Sequence, residues 1–178
     1  LESGRYLAEA YRVLATNGRR MLGDPATLTA AEHVLSRLVQ LAPADIESLL
    51  GLERVDVQRG QLGAAIEVLE RLVSADPQNA RGYLSRMAEH ALSAYRDDDA
   101  VSYAERALAL DPKDARAHER VGDLYRSRQS SARAIAAYER ALALDPDAHG
   151  VALRLSELYV AAGDLERASA ALLRVLRG

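Results

Sequence analysis

Four histidines, a run of three aspartates and one glycine-bracketed turn are the parts of this sequence whose residue types can carry chemistry. The histidines are His33, His90, His118 and His149. None stands four residues from another, and no cysteine is present to complete a nitrogen–sulfur ligand set, so the spacing builds no zinc-type site. Asp97, Asp98 and Asp99 lack the interposed glycine and the distant glutamate of a calcium loop. Capping a helix is the better use for them. Gly60-Gln61-Leu62-Gly63 is too short to cradle a phosphate, and no Gly-Lys-Ser/Thr follows it. No Gly-x-Ser-x-Gly presents a serine nucleophile. The expectation is a chain that is not an enzyme, with no catalytic residue, no cofactor and no metal.

Bulk composition narrows the remaining classes. The chain has 178 residues, 49% hydrophobic content and a net charge of −3. That is enough apolar material for one domain, or for a run of repeats sharing a continuous core. The charge gives no basic field for nucleic acid. No stretch of about 18 apolar residues exists, so no membrane insertion is expected. The sequence opens on Leu1 with no basic–apolar–small leader, which reads as a piece of something longer. A soluble, cysteine-free segment fits a bacterial cytoplasm and a periplasm equally. Aromatic residues are eight Tyr with no Phe or Trp, so Ala and Leu carry the core.

Internal self-similarity sets the elements. Glu105 to Pro112 and Glu139 to Pro146 both read ERALALDP, 34 positions apart. Pro77 and Pro43 fall at the same phase one and two repeats earlier, each after an apolar run. Between these marks the apolar residues recur at helical period, and no stretch alternates at period two. The spacing predicts a long helix over residues 5–22, then a helix capped by Thr29 or Thr27 and running to about Leu41, with Ala31, Leu35 and Leu38 buried. It predicts helix pairs over 45–75, 80–110, 114–144 and 148–177. Cap candidates are Asp45, Asn79, Asp98 or Asp99, Asp114, and Ser130 or Ser131. Gly60 and Gly163 mark two turns. The one extra residue of the third repeat is expected in the turn Tyr95-Arg96-Asp97-Asp98-Asp99.

The 34-residue period, the small-residue positions and the closing proline resemble the tetratricopeptide repeat. In residues 115–148 the matching set is His118, Val121, Gly122, Tyr125, Ala134, Tyr138, Ala141 and Pro146. Residues 149–178 supply Leu155, Ser156, Tyr159, Ala168 and Leu172. Residues 46–79 supply Leu49, Leu52, Ala65, Leu69 and Pro77, and residues 80–114 supply Tyr83 or Leu84, Ala100, Ala107 and Pro112. The resemblance implies an all-α fold: a right-handed α-solenoid of about five antiparallel helix pairs in one domain over residues 1–178, with a degenerate first repeat in 1–45. Small residues let paired helices approach closely, Gly122 against Ala134 and Ser156 against Ala168.

What such a fold leaves free is surface. The resemblance implies that each pair's first helix lines a concave groove. Residues there that the core does not need are Arg54, Gln58, Ser85, Glu89, Glu119, Asp123, Arg126, Leu153 and Glu157. Residues 46–114 carry 8 basic and 13 acidic residues (−5), and residues 115–178 carry 10 and 8 (+2). An extended partner with basic and acidic parts suits that gradient. Some members of the family hold a peptide's terminal carboxylate with Lys and Asn on successive first helices. Here the Asn place holds Arg54, Glu89 or Ala88, Asp123 and Glu157, and no first helix contains Lys, so that clamp is not expected. Arg120 or Arg154 remains able to pair a carboxylate. Leu172, Leu173, Val175 and Leu176 give the last helix an apolar outer face, a candidate edge for self-association. The expected function is a non-catalytic protein–protein interaction scaffold that takes a protein or peptide along the groove. The alternative is a recruiting segment of a larger enzyme or polysaccharide-export machine.

Overall fold

A computed structural model describes residues 25–177, apart from the side chains of residues 25, 174, 176 and 177. The helix expected over residues 5–22 lies outside them. Nine α-helices and no strand occur among the described residues. They are α1 (Pro25–Leu41), α2 (Ile46–Gln58), α3 (Leu62–Ala75), α4 (Ala80–Ser93) and α5 (Asp97–Leu110), then α6 (Ala115–Ser127), α7 (Ser131–Leu144), α8 (His149–Ala161) and α9 (Leu165–Arg177). A 3-10 turn, Pro77–Asn79, runs into α4.

The helices belong to two compact units, Leu1–Arg96 and Asp97–Gly178. In the first, α2 and α3 form an antiparallel hairpin packed between α1 and α4. Its core joins Leu35 and Leu38 of α1, Leu49 and Val55 of α2, Leu69 and Leu72 of α3, and Tyr83 and Met87 of α4, all buried. In the second, α5 packs on the hairpin α6–α7, and α8–α9 follows as another. Val121 and Tyr125, Ala134 and Tyr138, Leu155 and Tyr159, and Ala168 fill its seams. A single hairpin leaves an apolar face open on each side, so each is stabilised by stacking on its neighbour.

Polar straps run between hairpins of the second unit. The hydroxyl of Tyr125 donates to Glu105, and that of Tyr159 donates to Glu139. Both acceptors are the leading glutamate of the duplicated ERALALDP segment. Arg133 and Arg167 lie over the same two tyrosine rings, 5.5 and 4.8 Å from their centroids. Burial and the bond to Glu139 push the Tyr159 phenol up to about 12.

Helix starts divide into those set by a side chain and those set by neighbours. Asp45 accepts from the amide of Ser48 and Asp114 from that of Ala117, each at 3.0 Å, as the sequence indicates. The other cap expectations are corrected. The first described helix begins at Pro25, so Thr27 and Thr29 lie inside it. Asn79 makes no side-chain cap bond; it donates to Asp76 Oδ2 at 2.8 Å, where the Tyr83 hydroxyl also arrives at 2.9 Å. Those two donors hold the Asp76 carboxyl below its ordinary range. Asp97, Asp98 and Asp99 form the first turn of α5, where negative charge suits the helix dipole. Ser130 occupies a cap position without a side-chain bond, and Ser131 is already helical.

The extra residue of the third repeat is likewise elsewhere than expected. Three residues, 59–61, 94–96, 128–130 and 162–164, separate α2 from α3, α4 from α5, α6 from α7 and α8 from α9 in the chain. The added residue lengthens α4 instead, to 14 residues against 13 in α2, α6 and α8. The middle residue of every one of these turns is left-handed: Gly60 (φ 72°), Tyr95 (57°), Gln129 (57°) and Gly163 (76°). Shortening or lengthening such a turn would forfeit the bond that closes it, such as Arg96 N–H to Ala91 O at 2.8 Å.

Candidate functional site

The first helices α2, α4, α6 and α8 carry the candidate partner-binding residues. Each helix packs through its small and apolar positions and leaves the intervening ones outward. On α2, Arg54 and Gln58 are exposed while Leu49, Leu52 and Val55 are buried. On α4, Glu89 is exposed and Ser85 half-buried. On α6, Arg126 is exposed and Glu119 and Asp123 are half-buried. On α8, Leu153 and Glu157 are exposed.

In the second unit the structure ties four of these into ion pairs between α6 and α8. Arg154 of α8 reaches back to α6, where it donates to Glu119 and lies 3.2 Å from Asp123 Oδ1. The Tyr138 hydroxyl of α7 donates to that same Asp123 oxygen at 2.5 Å, and the Arg154 guanidinium sits 5.7 Å from the Tyr138 ring centroid. Burial, then the nearby Asp123, raises the Tyr138 phenol well above its ordinary range, so it stays a donor. Arg126 pairs with Glu157 across the two helices at 3.5 Å. The carboxylate-pairing capacity expected of Arg154 is therefore used inside the chain. Arg120 lies 4.0 Å from Asp114.

Gly122 makes this arrangement possible. A Cβ there would lie 2.5 and 2.6 Å from two carbons of the Tyr138 ring. The neighbour that demands a small residue is thus the ring of Tyr138.

The first unit contains two acids that sequence reasoning missed. Glu53 and Asp56 of α2 are 1% and 3% exposed. By repeat phase, counted back from the left-handed turn residues, Glu53 stands where later hairpins have Gly122 and Ser156. Asp56 stands where they have Tyr125 and Tyr159. That mismatch, a carboxylate at a small or aromatic core position, is the sequence signal that could have found them. Glu53 accepts from Arg86 of α4 and lies 2.9 Å from His90 Nε2. Burial first, then the charges of Glu32, Glu53 and Glu67 against the opposing Arg59, pushes the Asp56 carboxyl up to about 6.

At the far end of the second unit, Leu172 and Leu173 of α9 are 40% and 49% exposed, and Val175 is half-buried. The side chain of Leu176 lies outside the described residues. No group of three or more His, Cys, Asp or Glu among the described residues could hold a metal ion. No described helix is long and apolar enough to cross a membrane.

Comparison with known proteins agrees with this fold. A family profile described as tetratricopeptide repeat matches residues 27–89 and 126–177, and a second of the same description matches 85–149. A curated relative, "Cellulose synthase 2 operon protein C" of Komagataeibacter xylinus, is 33% identical over 129 residues. The match covers 64% of this chain, which spans 10% of that relative's length. Among solved structures, a crystal structure of MamA superposes with a TM-score of 0.71 at 20% identity, covering 98% of this chain and 92% of that one. A second MamA structure, from Desulfovibrio magneticus RS-1, gives 0.64 at 20% identity, with 98% and 93% covered. YrrB, described as a tetratricopeptide protein with an unusual peptide-binding site, gives 0.66 at 16% identity, with 97% and 84% covered.

Proposed function

Because the chain belongs to the tetratricopeptide-repeat family, we propose that it is a non-catalytic scaffold that docks a protein or peptide segment on the outward faces of its first helices. One observation carries this reading. At a single repeat position the first helices present Arg54, Glu89 and Glu157, all exposed, with the half-buried Asp123 at the same position of α6. Within each unit the helical faces are ordered before a partner arrives, which lowers the cost of binding. In the first unit the contacts fall to Arg54, Gln58, Ser85 and Glu89. In the second, Glu119, Asp123, Arg126 and Glu157 present a neutralised polar strip, and Leu153 adds apolar contact.

The test is capture of partners by the immobilised chain, followed by titration of each captured protein against Arg54→Glu and Glu89→Arg. Both positions are exposed, so the fold should survive. Affinity should fall several-fold or more in at least one variant. Partners that bind both variants as tightly as the parent would sink the assignment of the face.

A second reading is favoured by the match to the cellulose synthase operon protein, of which this chain spans 10% of the length. In it, the segment recruits partners for a larger polysaccharide-export or biosynthetic protein. Self-association through α9 accompanies either reading, since Leu172 and Leu173 are open there. Sedimentation that stays monomeric at high concentration would remove that part.

A further inference from the structure

α2 buries two carboxylates side by side, and only one of them is compensated. Glu53 has Arg86 and His90 from α4. Asp56 is 3% exposed, and its neighbours act on it through charge alone, with no hydrogen bond to its carboxyl among the described residues. The charged groups that act on it come from three of the described helices. Glu32 projects from α1, Glu53 and Arg59 from α2 itself, and Glu67 from α3. Three of those four repel its charge. The cation among them is committed elsewhere: Arg59 lies 2.5 Å from Glu32 and donates to Thr29 of α1 at 3.0 Å. On the α4 side, Arg86 and His90 are both taken by Glu53.

An ionised carboxylate that is only 3% exposed and has no donor among the described residues is poorly solvated, and a bound proton is the smallest compensation available. We propose that the Asp56 carboxyl is a proton-binding site that tightens the packing of α1, α2 and α3 on mild acidification. The hairpins α6–α7 and α8–α9 do not share this response, because Tyr125 and Tyr159 fill the corresponding positions. Protonation removes the repulsion from Glu32, Glu53 and Glu67 together and converts the group into a donor. The site therefore ties the packing of α1, α2 and α3 to acidity in a physiologically accessible range.

The experiment is a carboxyl-carbon NMR titration of the whole chain, paired with amide hydrogen exchange at two pH values. Asp56 should inflect near 6. Corrected for intrinsic rates, amides of α2 and α3 should gain about tenfold protection from about pH 7.5 to about pH 5, while those of α7 and α8 change by less than about twofold. Asp56→Asn should abolish the gain. Glu67→Gln, at an exposed position, should lower the inflection by removing one repelling charge. An inflection of the parent at the ordinary carboxylate value overturns the proposal, as does an equal gain in both units. Should Asp56→Asn fail to fold, an unmoved inflection in Glu67→Gln overturns it on its own.

Discussion

Gly122 is where a single methyl group decides whether two helices can close. With the Tyr138 ring 2.5 Å from the place of its absent Cβ, Gly122→Ala must push an aromatic ring that is fully buried. We predict a loss of roughly 1–3 kcal/mol, read as a lower urea midpoint with little change in slope. The companion Gly51→Ala should cost less than about 1 kcal/mol, because the atom it meets, at 3.0 Å, is the flexible end of Leu35. That Gly122 must stay small was legible from its repeat position. That a tyrosine sixteen residues later imposes it was not, since no pattern in the sequence says which side chain crosses the seam. The left-handed turn residues show the same division. Gly60 and Gly163 announced their turns, whereas Tyr95 and Gln129 adopt the same backbone without the residue type that signals it.

At the scale of the helices, capping separates real side-chain bonds from residues that merely stand in the right place. Asp114→Ala should cost about 1 kcal/mol in thermal or chemical unfolding, since it frees the amide of Ala117. Ser130→Ala should cost less than about 0.3 kcal/mol, because Ser130 makes no cap bond to lose. Similar costs for the two would contradict the geometry described for α6 and α7. Both residues are good cap formers by type. What differs is the backbone: Asp114 is extended at ψ 101°, whereas Ser130 sits at ψ 64°, the exit of a three-residue turn. The duplicated ERALALDP helices carry a further lesson. Their leading glutamates, Glu105 and Glu139, are surface residues by pattern but anchor the tyrosine of the next hairpin.

For the molecule as a whole, the buried Asp56 carboxyl should make the two units differ in how they respond to acid. The Asp56 carboxyl rises from an ordinary value near 3.8 to about 6 on folding. The folded chain therefore holds more protons than the unfolded one between those values. The stabilising effect of that proton is full below about pH 4 and is lost as pH climbs through about 6. Urea unfolding should show stability higher at about pH 5 than at about pH 7.5 by on the order of 1 kcal/mol from this group, and Asp56→Asn should flatten that difference. A parent profile that is unchanged by the substitution would place the pH dependence on other groups. The charge imbalance along the sequence, −5 against +2, was visible at the outset. It did not show that Arg126 of α6 and Arg154 of α8 spend their charge on Glu157, Glu119 and Asp123.

The sequence alone determined the repeat, the helical class and the helix order, because a period of 34 residues, 35 in the third repeat, of apolar, small and proline positions admits few other ways to bury its faces. Helical periodicity also pointed to outward positions on each first helix, of which Arg54, Gln58, Glu89, Arg126, Leu153 and Glu157 are exposed while Ser85, Glu119 and Asp123 are half-buried. Only the tertiary structure decided which outward side chains remain available and which are tied to a neighbouring hairpin. It alone revealed that two core positions of α2 hold carboxylates. Pairing across a seam depends on side chains from different helices meeting in space, and one-dimensional spacing does not record that meeting.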